Sequence, residues 1–147
     1  MIVQINTDKH IEGYSRMNEF FSEEVKKEFG FNTITDYHSP AQAEVVAKVV
    51  DTLQVPAFLC RQTDMIIAGA KACADNGARL KVKKGQFLSP SDTKNIVDKA
   101  KNFLKLEDIL LTERGSSFGY NNLVVDIEDY NNSWEVPAFK SWHSRFF

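Results

Sequence analysis

Apolar and polar residues change period repeatedly along the chain, and each change marks an element. Residues 2–6, IVQIN, alternate in the period of two that a strand imposes. A loop over 8–13 follows. From Tyr14 the apolar positions Met17, Phe20, Phe21, Val25 and Phe29 fall at helical spacing, with Ser15 as cap and Gly30 as stop. Phe31 to Thr35 predicts a second strand. Ser39-Pro40 then opens a helix, serine capping and proline taking the first turn, with Ala43, Val46, Ala47 and Val50 as its buried stripe. Leu53 to Cys60, interrupted by Pro56, predicts a third strand. Asp64 caps a helix over 65–75 that Asn76-Gly77 ends. Leu80 to Phe87 is a fourth strand, Ser91 or Asp92 caps a helix running to about Leu104, and Asp108 to Thr112 is a fifth strand.

Strand and helix therefore alternate throughout, which predicts an α/β fold with a parallel sheet and crossover helices, either an open doubly wound layer or part of a barrel. The chain has 147 residues, the size of one domain, and no interdomain linker or low-complexity tract divides it. With 18 basic and 20 acidic side chains its net charge is −2, so charge gives no reason to expect binding to nucleic acid or to an anionic membrane. Cys60 and Cys73 lie in apolar surroundings without a CxxC pair, as buried reduced thiols do. No run approaches the length of a membrane span, and the start MIVQINTDKH lacks a signal peptide's basic and apolar regions, which predicts a cytoplasmic protein.

In parallel α/β proteins ligands bind where strands end, so the polar residues that follow each strand come first. They are Asp36 and His38, Arg61 and Gln62, Lys83, Lys84 and Gln86, and Glu113 and Arg114. Lysines on one strand end and an arginine on the next suit a phosphate or carboxylate, the arginine offering a planar fork. The same residues also read as solvated strand ends and loop ion pairs. Gly85 and the run 115–119, GSSFG, make loops whose backbone N–H groups can approach an anion, without the spacing of a dinucleotide fingerprint. Asp36 and His38 share a side of an extended chain, as an acid/base or metal pair would. No Ser/His/Asp or Cys/His arrangement for nucleophilic catalysis emerges.

Three long collinear runs carry a family resemblance: TITDYHSPAQAEVVAKVVDTLQVPAFLCRQTD (33–64), KVKKGQFLSPSDTKNIVDKAK (81–101) and LLTERGSSFGYNNLVVDI (110–127). From about residue 29 to 127 the chain resembles the central part of the 3-deoxy-D-manno-octulosonate 8-phosphate synthases. These condense phosphoenolpyruvate with arabinose 5-phosphate on the path to lipopolysaccharide. The resemblance implies a partial (βα)8 barrel of about five parallel strands. It implies that Lys83 and Arg114 bind the phosphoenolpyruvate as substrate-binding residues, that Asp36 and Gln54 line the same cavity, and that Arg61 reaches a sugar phosphate bound in a neighbouring subunit. Asn121 and Asn122 of the FGYNN loop receive no role.

The chain also departs from the family pattern. The second-strand lysine and the Asn-Arg-Ser run that grips the sugar have no counterpart beyond Asp8-Lys9. The metal-binding cysteine and the last two strands, with their metal ligands, are not matched, so no cofactor is expected. An insertion falls within 72–79, and Lys81 stands where the family has asparagine. Residues 1–28 resemble the opening strand and helix of a ribosome hibernation factor, and 128–147 form an aromatic tail that predicts packing over a sheet edge. An open partial barrel exposes sheet edges and an apolar inner face, which predicts a homo-oligomer. Set beside the roughly 250 residues of a complete barrel, the length makes full turnover doubtful. A second reading is therefore a non-catalytic chimeric or remnant module that self-associates and binds phosphate-like anions. A third, a ribosome-associated module, rests on residues 1–28 and is opposed by the net charge.

Overall fold

The computed structural model describes residues 2–4, 24, 26–121 and 123–124. Five strands, β1 (Ile2–Gln4), β2 (Asn32–Asp36), β3 (Thr52–Val55), β4 (Arg79–Lys83) and β5 (Ile109–Thr112), form one parallel sheet in the order β1-β2-β3-β4-β5. Helices α1 (Pro40–Ala47), α2 (Thr63–Asn76) and α3 (Lys94–Ala100) connect the last four of these strands. The order never reverses. Since such crossovers are right-handed, every helix falls on the same side of the sheet, and one core accordingly joins Ala43, Val46, Ile66, Cys73, Ile96 and Ala100 of the helices to Leu53, Val55, Leu80, Val82, Ile109 and Leu111 of the sheet. A doubly wound layer would reverse its order and carry helices on both faces. The sheet is instead a section of a (βα)8 barrel.

Most predicted elements stand, and their ends show which local force won. Residues 26–29 are helical, and Gly30, at φ +64°, stops them by donating its N–H to the Lys26 carbonyl at 3.0 Å. The predicted helix between Tyr14 and 23, and the aromatic tail, lie outside the described residues, as does most of the segment resembling a hibernation factor. Ser39 is the N-cap of α1 and Pro40 its first residue, as expected, and Gln42 reaches back to this end: its Oε1 accepts the N–H of His38 at 2.8 Å and of Ser39 at 3.2 Å. The third strand does not reach Cys60, because Pro56 ends it and Ala57–Leu59 form a 3₁₀ turn. Asp64, the expected cap, lies inside the first turn of α2, two residues after the actual N-cap Gln62; its carboxylate accepts the Met65 N–H at 2.9 Å. Gly77 closes that helix at φ +69°. The fourth strand stops at Lys83 rather than Phe87, as Leu88 donates back to the Gly85 carbonyl at 3.0 Å and turns the chain. Ser91–Thr93 form a 3₁₀ turn before α3, which ends at Ala100 instead of Leu104. Within the expected loop, β6 (Ser116–Ser117) pairs antiparallel with β7 (Leu123–Val124).

The register corrects one expectation. Paired residues of neighbouring parallel strands share a face, and the pairs Asp36↔Gln54, Gln54↔Lys81, Lys81↔Leu110 and Lys83↔Thr112 fall on the face turned away from the helices. Leu110 and Ile34 apart, the inner face of the described strands β2–β5 is therefore mostly polar and charged rather than apolar. An uncovered greasy surface does not drive self-association from this side.

Candidate functional site

The site grows from the carboxyl ends of β2, β3 and β4. Asp36, the last residue of β2, accepts a hydrogen bond at Oδ1 from Gln54 Nε2 at 2.5 Å, and its Oδ2 lies 3.4 Å from Lys83 Nζ. Gln54 is 1% exposed. Three residues singled out from sequence thus form one network, with a carboxylate fixing both the amide and the ammonium. Their side chains retain access to solvent at the charged end, 24% for Lys83 and 16% for Asp36. Arg114 follows β5 by two residues, and it is exposed, with no hydrogen bond or ion pair to its guanidinium among the described residues. A fixed ammonium beside a free guanidinium can bind one dianion or two adjacent anionic groups.

The remaining candidates separate. Lys84 does not face this site. Its side chain is 0% exposed, and Nζ donates to the carbonyls of Leu88 at 2.9 Å, Gly85 at 3.4 Å and Gly115 at 3.4 Å while lying 3.4 Å from Glu113 Oε1. Glu113 Oε1 also accepts the Gly115 N–H at 2.6 Å. Consecutive strand residues face opposite ways, so Lys83 enters the inner face and Lys84 the packed side. There Lys84 and Glu113 clamp together the two loops that follow β4 and β5. A Cβ at position 85 would come within 2.6 Å of the exposed Phe87 ring and 3.1 Å of the Ala57 carbonyl oxygen, so a larger residue there must displace the ring and fit closely against the backbone. The Gly115–Gly119 run carries the β6 end of the hairpin, whose Ser117 N–H binds the Gln86 carbonyl at 3.1 Å.

His38 is exposed, beyond the end of β2, and its imidazole has no hydrogen-bond partner among the described residues. The expected pairing with Asp36 is not made, because the extended chain ends at Asp36 and the next residue, Tyr37, turns into the core, where its hydroxyl donates to the Met65 carbonyl at 2.6 Å. Arg61 is exposed and lines a separate open groove of about 400 Å³ with Thr63, Asp92, Asn95 and Lys99. None of the residues lining that groove belongs to the Asp36–Gln54–Lys83 network.

Sequence reasoning passed over two features. Lys81 shares the inner face with Lys83; burial and the Lys83 charge push its pKa down, against the pull of the Asp36 carboxylate. The period-two alternation carried that signal. Gln86 Oε1, Thr112 Oγ1 and Glu113 Oε2 are buried without a hydrogen-bond partner at the ends of β4 and β5. Buried polar atoms are seldom left so. No sequence pattern marks such atoms.

Both cysteines are free and buried. Burial raises both thiol pKa values, that of Cys73 to about 12, so neither offers a ready thiolate. Among the described residues no three His, Cys, Asp or Glu side chains converge.

Parallel strands in unreversed order, with a polar and cationic cluster at their carboxyl ends, agree with what comparison finds. The model of the DAHP synthetase I family matches residues 13–137. The chain belongs to the DAHP synthetase I family. Among its relatives within curated proteins, the 2-dehydro-3-deoxyphosphooctonate aldolase of Rickettsia prowazekii is 58% identical over 123 residues, 82% of this chain and 43% of that protein. The enzyme of the same name from Pseudomonas fluorescens is 50% identical over 119 residues, 80% of this chain and 41% of its own length. That of Paraburkholderia phymatum is 51% identical over 129 residues, 82% of this chain and 44% of its own. The chain thus spans about two fifths of the length of these DAHP synthetase I relatives, and the family match extends beyond both ends of the 29–127 stretch.

Proposed function

We propose that this chain supplies the phosphoenolpyruvate-binding part of a synthase that joins phosphoenolpyruvate to arabinose 5-phosphate, giving 3-deoxy-D-manno-octulosonate 8-phosphate. The observation that carries the reading is the Asp36–Gln54–Lys83 network at three adjacent strand ends, with Arg114 free on the next. Phosphoenolpyruvate presents a phosphate and a carboxylate on neighbouring carbons. Lys83 and Arg114 neutralise them. Asp36 holds the Lys83 ammonium in place, and Gln54, locked by its bond to Asp36, keeps that carboxylate oriented. Adding the vinyl carbon to an aldehyde builds positive charge at the phosphate-bearing carbon, and preset groups that need no reorganisation lower that barrier. Arg61, in its own groove, serves a sugar phosphate held by a neighbouring copy, which makes the working form a homo-oligomer. The reaction needs no metal from this chain and belongs to the cytoplasm. Among the described residues no helix is long and apolar enough to cross a membrane.

Phosphate release from phosphoenolpyruvate plus arabinose 5-phosphate, measured beside a native mass determination, tests the reading. Release that requires both substrates and is abolished in Arg114→Ala supports it. Phosphoenolpyruvate binding without release favours the non-catalytic anion-binding module, and absence of both refutes the proposal.

A further inference from the structure

The inner face holds a cation that the network above leaves unused. Lys81 and Lys83 lie two residues apart on β4, about 7 Å from Cα to Cα in an extended strand, with their side chains on one face. Lys83 is tied to Asp36. Lys81 is half-buried, and among the described residues it has no hydrogen bond or ion pair. Its register partners are Gln54, whose amide nitrogen is committed to Asp36, and Leu110, which is apolar. A partly desolvated ammonium without a counter-charge is costly. Thr112, in register with Lys83, leaves its buried Oγ1 without a partner on the same face. Two ammonium groups and a free hydroxyl thus converge where one carboxylate neutralises only one charge.

We infer that Lys81 is a second anion anchor of this site, binding the same phosphate or carboxylate group as Lys83, with the Thr112 hydroxyl donating to one of its oxygens. This extends the phosphoenolpyruvate reading, but it concerns an anion of any origin. The lowered Lys81 pKa agrees with an ammonium awaiting its counter-ion. Among the described residues the charged groups on the same face are Lys83 and Arg79 on its own strand and Asp36 on β2; its partners on β3 and β5 are uncharged.

The test is calorimetric titration of the full chain with inorganic phosphate and, separately, with phosphoenolpyruvate. Lys81→Met is expected to weaken both about tenfold, Lys81→Arg to stay within about threefold of the parent, and Lys83→Met to weaken both, all with unchanged circular dichroism. Unchanged affinity in Lys81→Met alongside a loss in Lys83→Met overturns the inference and leaves the phosphoenolpyruvate reading standing. Phosphate binding through Lys81 without phosphoenolpyruvate binding does the reverse. Failure of the parent to bind either anion overturns both. A measurement on the parent alone guards against misfolded variants: acetylation of Lys81, followed by mass spectrometry, is expected to slow severalfold in saturating phosphate, and equal rates with and without phosphate refute the contact.

Discussion

Removing the Lys84 ammonium tests whether the clamp behind the site holds its two loops. Lys84→Met keeps most of the side-chain volume and deletes the charge. The parent ammonium is 0% exposed and faces three carbonyl oxygens and Glu113, whose side chain is 11% exposed. Deleting one member of a buried pair leaves the other desolvated and alone, a loss of about 3–5 kcal/mol. Glu113 keeps the Gly115 N–H at 2.6 Å, which puts the expected cost near the lower bound, about 3 kcal/mol. For a chain of this size that is a fall of roughly 10 °C in melting temperature. Glu113→Gln is milder, about 1.5–3 kcal/mol, because the three carbonyls still solvate the ammonium and only a charge-assisted bond is lost. The double variant Lys84→Met/Glu113→Leu is expected to lose less than the sum of the two single changes, since no lone charge remains. Urea denaturation followed by circular dichroism measures all of these. Lys84→Met within 1 kcal/mol of the parent, or strict additivity in the double variant, refutes the clamp.

Other packing features give sharp expectations. At Gly69 an added Cβ would collide with the Tyr37 hydroxyl and sit 2.9 Å from Leu80 Cδ1. Gly69→Ala is therefore expected to cost about 1–3 kcal/mol by overpacking despite alanine's better helix propensity, and Tyr37→Phe, by removing the colliding atom, to recover part of it in the double variant's thermal melt. Asp51 ties β2 to the segment before it: its Oδ2 accepts the Thr33 N–H at 2.7 Å, and its Oδ1 lies 3.0 Å from Lys26 Nζ. Burial opposes its ionisation, but the Thr33 N–H and Lys26 outweigh it and hold the pKa below the usual value. A carboxylate with a lowered folded pKa stabilises above its unfolded pKa of about 4, and that stability drains away as pH falls through the folded value. Asp51→Asn is expected to flatten the pH dependence of urea midpoints as pH falls below the unfolded pKa of about 4, and an unchanged slope refutes the tie. Cys73, with its pKa raised to about 12, is expected to react with a thiol reagent at pH 8 only on unfolding; rapid native labelling contradicts its burial.

The architecture was legible because the apolar period switches between 2 and 3.6 so cleanly, and because turn chemistry sits where it must. Gly30 and Gly77 adopt the positive φ that ends a helix, and the alternation of strands and helices left only two layouts. Sequence could not choose between those, since strand order is a property of tertiary packing. Element ends were less legible. Pro56 and the Gly85–Leu88 turn cut two strands short that composition alone would continue, since Cys60 and Phe87 suit a strand as well as a turn.

The site was half legible, and parity explains which half. Reading every cation at a strand end as a ligand group placed Lys83 and Lys84 together, although adjacent residues of a strand face opposite ways. Applied strictly, the same rule separates them. It sends Lys84 to the helix side, where a buried ammonium must find a buried carboxylate, and Glu113, offset by one from the inward Thr112, is the residue of matching parity on the next strand. It also joins Lys81 to Lys83 and pairs the row with Gln54 and Asp36 across β3 and β2. What parity cannot supply is the desolvation that turns a lysine on the inner face into one without a partner. That depends on which neighbour has already claimed each carboxylate, and among the described residues the only carboxylate in the row, Asp36, is held by Lys83 and Gln54. The charge left over on Lys81 is therefore a product of register and packing together, and a bound anion is the group that completes it.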